Sequence, residues 1–167
     1  MPSRRGTLSL PLADLVAQGL ERLHASGEYE ERSPIDPAYN CVAFAAGDTG
    51  HFWSPTAMDG CSWPADAPAD DTVDGVMAAL ACVGFVECTD ATFEDGYEKV
   101  ALFAAEDRPT HAARQDTDSE VWLSKLGKEY DIAHANLNDV GGEEYGEPVK
   151  YMRRERTSAP ELPRMRP

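Results

Sequence analysis

The segment 97–104, Y-E-K-V-A-L-F-A, constrains the fold most. Its apolar residues run on from Val100 without a polar break, and Val and Phe suit extended backbone. Such a run lacks the two-residue alternation of a half-exposed strand. It predicts a strand covered on both faces, in the middle of a sheet.

A central strand needs neighbours. Arg108 and Pro109 read as a turn, and residues 110–115 as a second strand. Residues 116–120 form a polar hairpin loop, 121–126 a third strand and 148–153 a last one. Helical patterns come earlier. Residues 9–26 place Leu12, Leu15, Val16, Leu20 and Leu23 on one face, with Pro11 in the first turn and Gly27 at the end. Residues 28–37 read as a polar connection and 39–46 as a short apolar helix. Residues 72–83 form a further helix, with Asp71 or Thr72 as its cap and Gly84 as its stop. Between them, residues 47–71 are rich in Gly, Pro, Asp and Trp and predict a long loop. Helices first and strands second predict an α+β fold, N-terminal helices packed on an antiparallel sheet. At 167 residues this is one domain, expected over 1–154, with a flexible basic, Pro-containing tail over 155–167.

Charge excludes some functions. The formal net charge is −15, which opposes a phosphate backbone, so no nucleic-acid partner is expected. No apolar run approaches the roughly 20 residues that cross a bilayer, so no membrane partner is expected either. Asp14 and Gln18 interrupt what would be a signal-peptide core. The expectation is a cytoplasmic protein, with export by an unmarked route left open.

Four cysteines occur, Cys41, Cys61, Cys82 and Cys88, and none stands in a C-x-x-C pair. Cys82 reads as a small core residue. Cys41 differs: it follows Asn40 where a loop becomes a helix. Helix N-termini present unpaired N–H groups and partial positive charge, which favour a thiolate. A histidine must then act as base. His24 lies late on the first helix, His51 in the aromatic loop and His134 after D-I-A. His111 opens a strand directly after a turn and ranks first. Lys125 or Arg114 can add positive charge, although alternation sets Arg114 on the face opposite His111.

The phrases Y-N-C-V-A-F-A-A-G-D, T-H-A-A-R-Q, W-L-S-K-L-G and D-I-A-H resemble an uncharacterised bacterial family near the papain-like fold, in the compact form of NlpC/P60 and CHAP amidases. The resemblance covers about residues 39–154. It implies Cys41 as nucleophile, His111 as general base and later acid, and a polar residue on the next strand to orient the imidazole. That residue is Ser124, thirteen positions on, where the compact amidases carry His, Asn, Asp or Gln. Asp131 and His134 are alternatives for the role. Asn40 is an oxyanion donor or a helix cap. Trp53 and Trp122 either wall a cleft or pack in the core. The implied activity is a cysteine-dependent hydrolase or acyl transferase on a protein or peptide substrate, needing no cofactor. A non-catalytic binding module on the same fold is the alternative. A zinc site from Cys41, His51 and Cys61 ranks last, because the ligand spacing is irregular.

Overall fold

The computed structural model describes residues 10–56, 59–156 and 162–166. The chain is mixed α+β, built on one seven-stranded antiparallel sheet. Helices α1 (Leu12–Gly19) and α2 (Glu21–Ser26) come first, then β1 (Tyr29–Ser33) and α3 (Cys41–Ala46). Two short strands, β2 (Phe52–Trp53) and β3 (Cys61–Pro64), precede α4 (Val73–Ala81). The sheet continues with β4 (Val86–Cys88), β5 (Tyr97–Ala105), β6 (Arg108–Gln115), β7 (Trp122–Lys125) and β8 (Asp131–His134). After a 3-10 turn at Leu137–Val140 come β9 (Glu147–Glu155) and β10 (Met165–Arg166). The order across the large sheet is β1-β8-β7-β6-β5-β9-β4, so β5 lies inside it, as its apolar run predicts.

Strand alternation sorts the core into two halves. Val100, Leu102, Ala112, Leu123 and Ala133 face α3 and α4 and pack with Ala43, Phe44, Ala79 and Leu80. Ala101, Phe103, Ala113, Trp122 and Ile132 point the other way and meet Val16, Leu20 and Leu23 of α1 and α2. Helices therefore cover both faces of the sheet. That arrangement explains why β5 carries no polar side.

Several local expectations change. The helix read over 9–26 breaks at Leu20 (φ −126°, ψ 77°), and Ser9 lies outside the described residues. The turn expected at Arg108 and Pro109 falls earlier, on Glu106 and Asp107, both at positive φ. Pro109 is tolerated in β6 beside the irregular register that follows Phe103. The polar connection over 28–37 contains β1, an edge strand paired to β8; three of its five residues are exposed, so no apolar alternation marks it. In the expected long loop, β2 and β3 pair in parallel. The tail read over 155–167 begins inside β9 at Glu155, and Met165 and Arg166 pair with Pro64 and Trp63. Its far end thus adds a strand to β3, where main-chain groups of the loop find partners. Among the described residues no helix is long and apolar enough to cross a membrane.

Candidate active site

Cys41 is the first residue of α3. Asn40 precedes it in extended conformation, and its Oδ1 accepts the Ala43 N–H at 3.2 Å, a side-chain cap. The same oxygen accepts Trp53 N–H at 3.1 Å, and Nδ2 donates to Trp53 O at 2.7 Å. Asn40 therefore caps the helix and clamps Trp53, leaving one amide hydrogen for other use. Asn40→Ala is expected to lower stability by about 1–2 kcal/mol in urea unfolding, since it removes a cap and unpairs two backbone groups.

A cleft of about 200 Å³ opens beside Cys41. Phe52, Trp53, Trp63 and Pro55 line it with Asn40 and His111. Both indoles are anchored inward: Trp53 Nε1 donates to Asp48 Oδ2 at 2.8 Å and Trp63 Nε1 to Pro68 O at 3.0 Å. The two rings meet edge to face at 6.4 Å. Trp53 is thus both core and cleft wall. Trp122 is not a cleft wall. It lies on the other face of the sheet, in the core beneath α1 and α2.

His111, Ser124 and His134 form a buried chain on that second face. They are 4%, 0% and 1% exposed. His111 Nε2 and Ser124 Oγ stand 2.9 Å apart, and Ser124 Oγ and His134 Nε2 2.8 Å. His134 Nδ1 lies 3.0 Å from Asn136 O. A carbonyl only accepts, so the His134 proton sits on Nδ1 and neutral His134 accepts at Nε2. Ser124 then donates to His134 and accepts from His111 Nε2–H. Neutral His111 is left with a bare Nδ1, and that atom is buried without a hydrogen-bond partner. Tyr145 stacks on the imidazole at 4.3 Å and 15°, and Phe103 meets its edge at 5.4 Å, so the ring is fixed in place. Ser124 and His134 thus act together, two of the three residues considered for the orienting position. Asp131 lies across from Lys125 and outside this chain.

The β6–β7 ladder joins residues 113–115 to 122–124 and stops short of His111. Here the N-terminal end of α3 meets the sheet. Backbone N–H groups of Ala112, Val42 and Cys41 itself lie near enough to the Cys41 sulfur to favour its ionised form. No hydrogen bond joins it to His111, whose Nδ1 is unpartnered. As a residue Cys41 is partly exposed, but its sulfur is deeply enclosed. Burial pushes the thiol pKa up, and the three N–H groups and the Lys125 charge offset this only in part. Burial, with the nearby His134, also drives His111 down to about 3. The thiolate expected from the helix start is therefore not the resting form. The resting pair is thiol and neutral imidazole, because desolvation outweighs the helix terminus.

Lys125 secures the approach to this helix. Its side chain is fully buried and its ammonium donates to Asp36 O, Glu129 O and Gly127 O at 2.5, 2.9 and 3.2 Å. It also lies 4.6 Å from the centre of the Tyr39 ring. All three donors are used, so Lys125 contributes a fixed charge and holds residues 36–39 against β7. Arg114 faces α3, opposite His111, as alternation requires.

The three residues weighed for zinc do not converge, and among the described residues no three His, Cys, Asp or Glu side chains form a metal-binding group. His51 Nδ1 instead meets Asp48 Oδ2 at 2.8 Å. Sequence reasoning missed Tyr145, which reaches His111 from a glycine-punctuated loop 34 positions away with no periodic signal. It also missed Asp48, the buried anchor for Trp53, although the spacing D-x-x-H-x-W places both partners within one turn-rich segment.

A family model described as "Domain of unknown function (DUF7689)" matches residues 30–153. No curated protein and no solved structure matches the chain.

Proposed function

The chain belongs to the family of the DUF7689 domain, and for it we propose a cysteine-dependent hydrolase or acyl transferase of papain-like type, acting on an amide or peptide bond. One observation carries this reading. The unpartnered Nδ1 of His111 belongs to a ring that lines the same cleft as Cys41, while Nε2 is held by Ser124. A buried acceptor without a partner costs free energy, and a base waiting for a proton explains why it is kept.

In the proposed reaction His111 Nδ1 takes the Sγ proton as sulfur attacks the carbonyl carbon of the substrate. The tetrahedral intermediate collapses, breaking the C–N bond. His111 returns the proton to the departing amine, leaving a Cys41 thioester. Water or a second amine attacks that thioester, with His111 again accepting and then returning a proton to sulfur. The Cys41 N–H and the free amide hydrogen of Asn40 are the candidate oxyanion donors. Burial disfavours the imidazolium, so it exists only during proton transfer.

Alkylation by neutral chloroacetamide tests the resting state. The reactive form is the thiolate, so the Cys41 rate should climb with pH through an ionisation above the ordinary thiol value of 9.0. A rate already at its plateau in mild acid means a preformed thiolate–imidazolium pair and contradicts general-base activation.

The missing Cys41–His111 hydrogen bond and the raised thiol pKa favour a second reading, a binding module that retains this architecture. Under that reading Cys41→Ala leaves function in the cell intact. Under the enzymatic reading the same substitution removes it.

A further inference from the structure

We propose that a second cavity, at the C-terminal end of α3 and separate from the Cys41 cleft, binds a small oxyanion through Arg114. The cavity measures about 190 Å³, and Arg114, Gln115, Thr117, Lys99 and Arg156 line it with two carboxylates, Glu98 and Asp116. Glu98, Lys99 and Arg156 already have charged partners. Glu98 receives Nε and Nη2 of Arg154 at 3.0 and 3.1 Å. Lys99 meets Glu94 at 2.8 Å and Asp90 at 3.6 Å. Asp116 accepts the Ser119 hydroxyl at 2.9 Å, and Arg156 stands 3.4 Å from Asp118.

Arg114 is different. Its guanidinium lies 4.5 Å from the centre of the Phe44 ring and donates once, from Nη1 to Phe44 O at 3.2 Å. Among the described residues it forms no ion pair, whereas Arg22, Arg153, Arg154 and Arg156 each have a carboxylate partner. The chain holds 30 acidic residues against 15 Lys and Arg, so carboxylates are not scarce. Guanidinium carries five N–H donors in a planar fork that suits two oxygens of one anion. None of its nitrogens is both fully buried and unpartnered, so the unused donors keep access to solvent at the cavity. Phe44 packs against the guanidinium, and Thr117 adds a hydroxyl-bearing side chain to the lining. The positive charge here is the Arg114 guanidinium itself, with Glu98 turned to Arg154, in a chain of net charge −15. The shared ligand chemistry is two or more anionic oxygens on one small group, either a carboxylate or a phosphate.

The probes are succinate and inorganic phosphate, titrated into the full chain by calorimetry at fixed ionic strength, with chloride as reference. The expected result is saturable binding of at least one probe, weakened about tenfold or more in Arg114→Gln. Binding of succinate alone assigns a carboxylate site, and binding of phosphate alone a phosphate site. Arg114 also packs on Phe44, so a second measurement guards against a variant that does not fold. In the wild-type protein, the Arg114 side-chain resonances should shift on titration while those of Arg22 and Arg153 stay fixed. Neither probe binding more tightly than chloride overturns the proposal. So does unchanged affinity in a folded Arg114→Gln protein, or a set of shifts that leaves Arg114 out.

Discussion

Between about pH 6.5 and about pH 3, His111 alone should remove about 4 kcal/mol of folding stability. The folded protein holds this histidine down near 3, whereas the unfolded chain has the ordinary value of 6.5. In that window the unfolded state binds a proton and the folded state does not. Stability is therefore fully present above the unfolded value and is lost as pH falls toward the folded one. His134 is lowered by burial too and adds to the loss with the same sign. Asp131, raised by burial, acts in the opposite direction. Comparison with a variant cancels that contribution. His111→Phe keeps an aromatic ring between Tyr145 and Phe103 and removes the titration. Urea unfolding at pH 7 and pH 4 should show the wild type losing about 3 kcal/mol more than the variant. Equal losses would mean that His111 is not buried as a neutral base.

The second large effect is on rate. His111→Phe should slow acyl transfer to Cys41 by about 10²–10⁴, the usual contribution of a positioned general base. Ser124→Ala should cost less, roughly tenfold, because the base remains but nothing holds its proton on Nε2. Once that hydrogen bond is gone, the tautomer with the proton on Nδ1 is free to form, and it cannot accept from the thiol. Ser124→Ala also cuts His134 out of the chain. His134→Gln should therefore resemble it, since both release the same constraint. Stability does not separate these roles from mere packing, but the dependence of acylation on pH does. Loss of His111 removes the base, whereas loss of Ser124 leaves a base with a shifted profile.

Much of this arrangement was legible in the sequence where one local signal decided it. The apolar run of β5 has no polar face to offer, so a central position followed. Asn40 before a small, apolar stretch marked both the start of α3 and its cap. Thr72 did the same for α4, accepting from Gly75 N–H. His111 and Ser124 sit thirteen residues apart across a hairpin, so their meeting needed only adjacent strands. What stayed hidden depended on distant choices. The face to which His111 points follows from the register of β6 against β5 and from α1 and α2 covering the second face. Trp122 shares that face but pairs with Gln115 and His134, further along the sheet than His111, and so lies outside the cleft. The protonation of Cys41 and His111 turned on burial depth, which no spacing records. Lys125 reads as a positive charge for the site, and nothing in the sequence signals that three main-chain carbonyls hold it inside.

In the proposed reaction Cys41 receives an acyl group with the help of His111. Incubation with p-nitrophenyl acetate, followed by acid quench and mass analysis of the peptides, measures this directly. The predicted result is acetyl on Cys41 as a thioester, absent from Cys41→Ala and formed at least about 100-fold more slowly in His111→Phe. Acetyl spread over Cys61, Cys82 and Cys88, or a Cys41 rate that ignores His111→Phe, would contradict it.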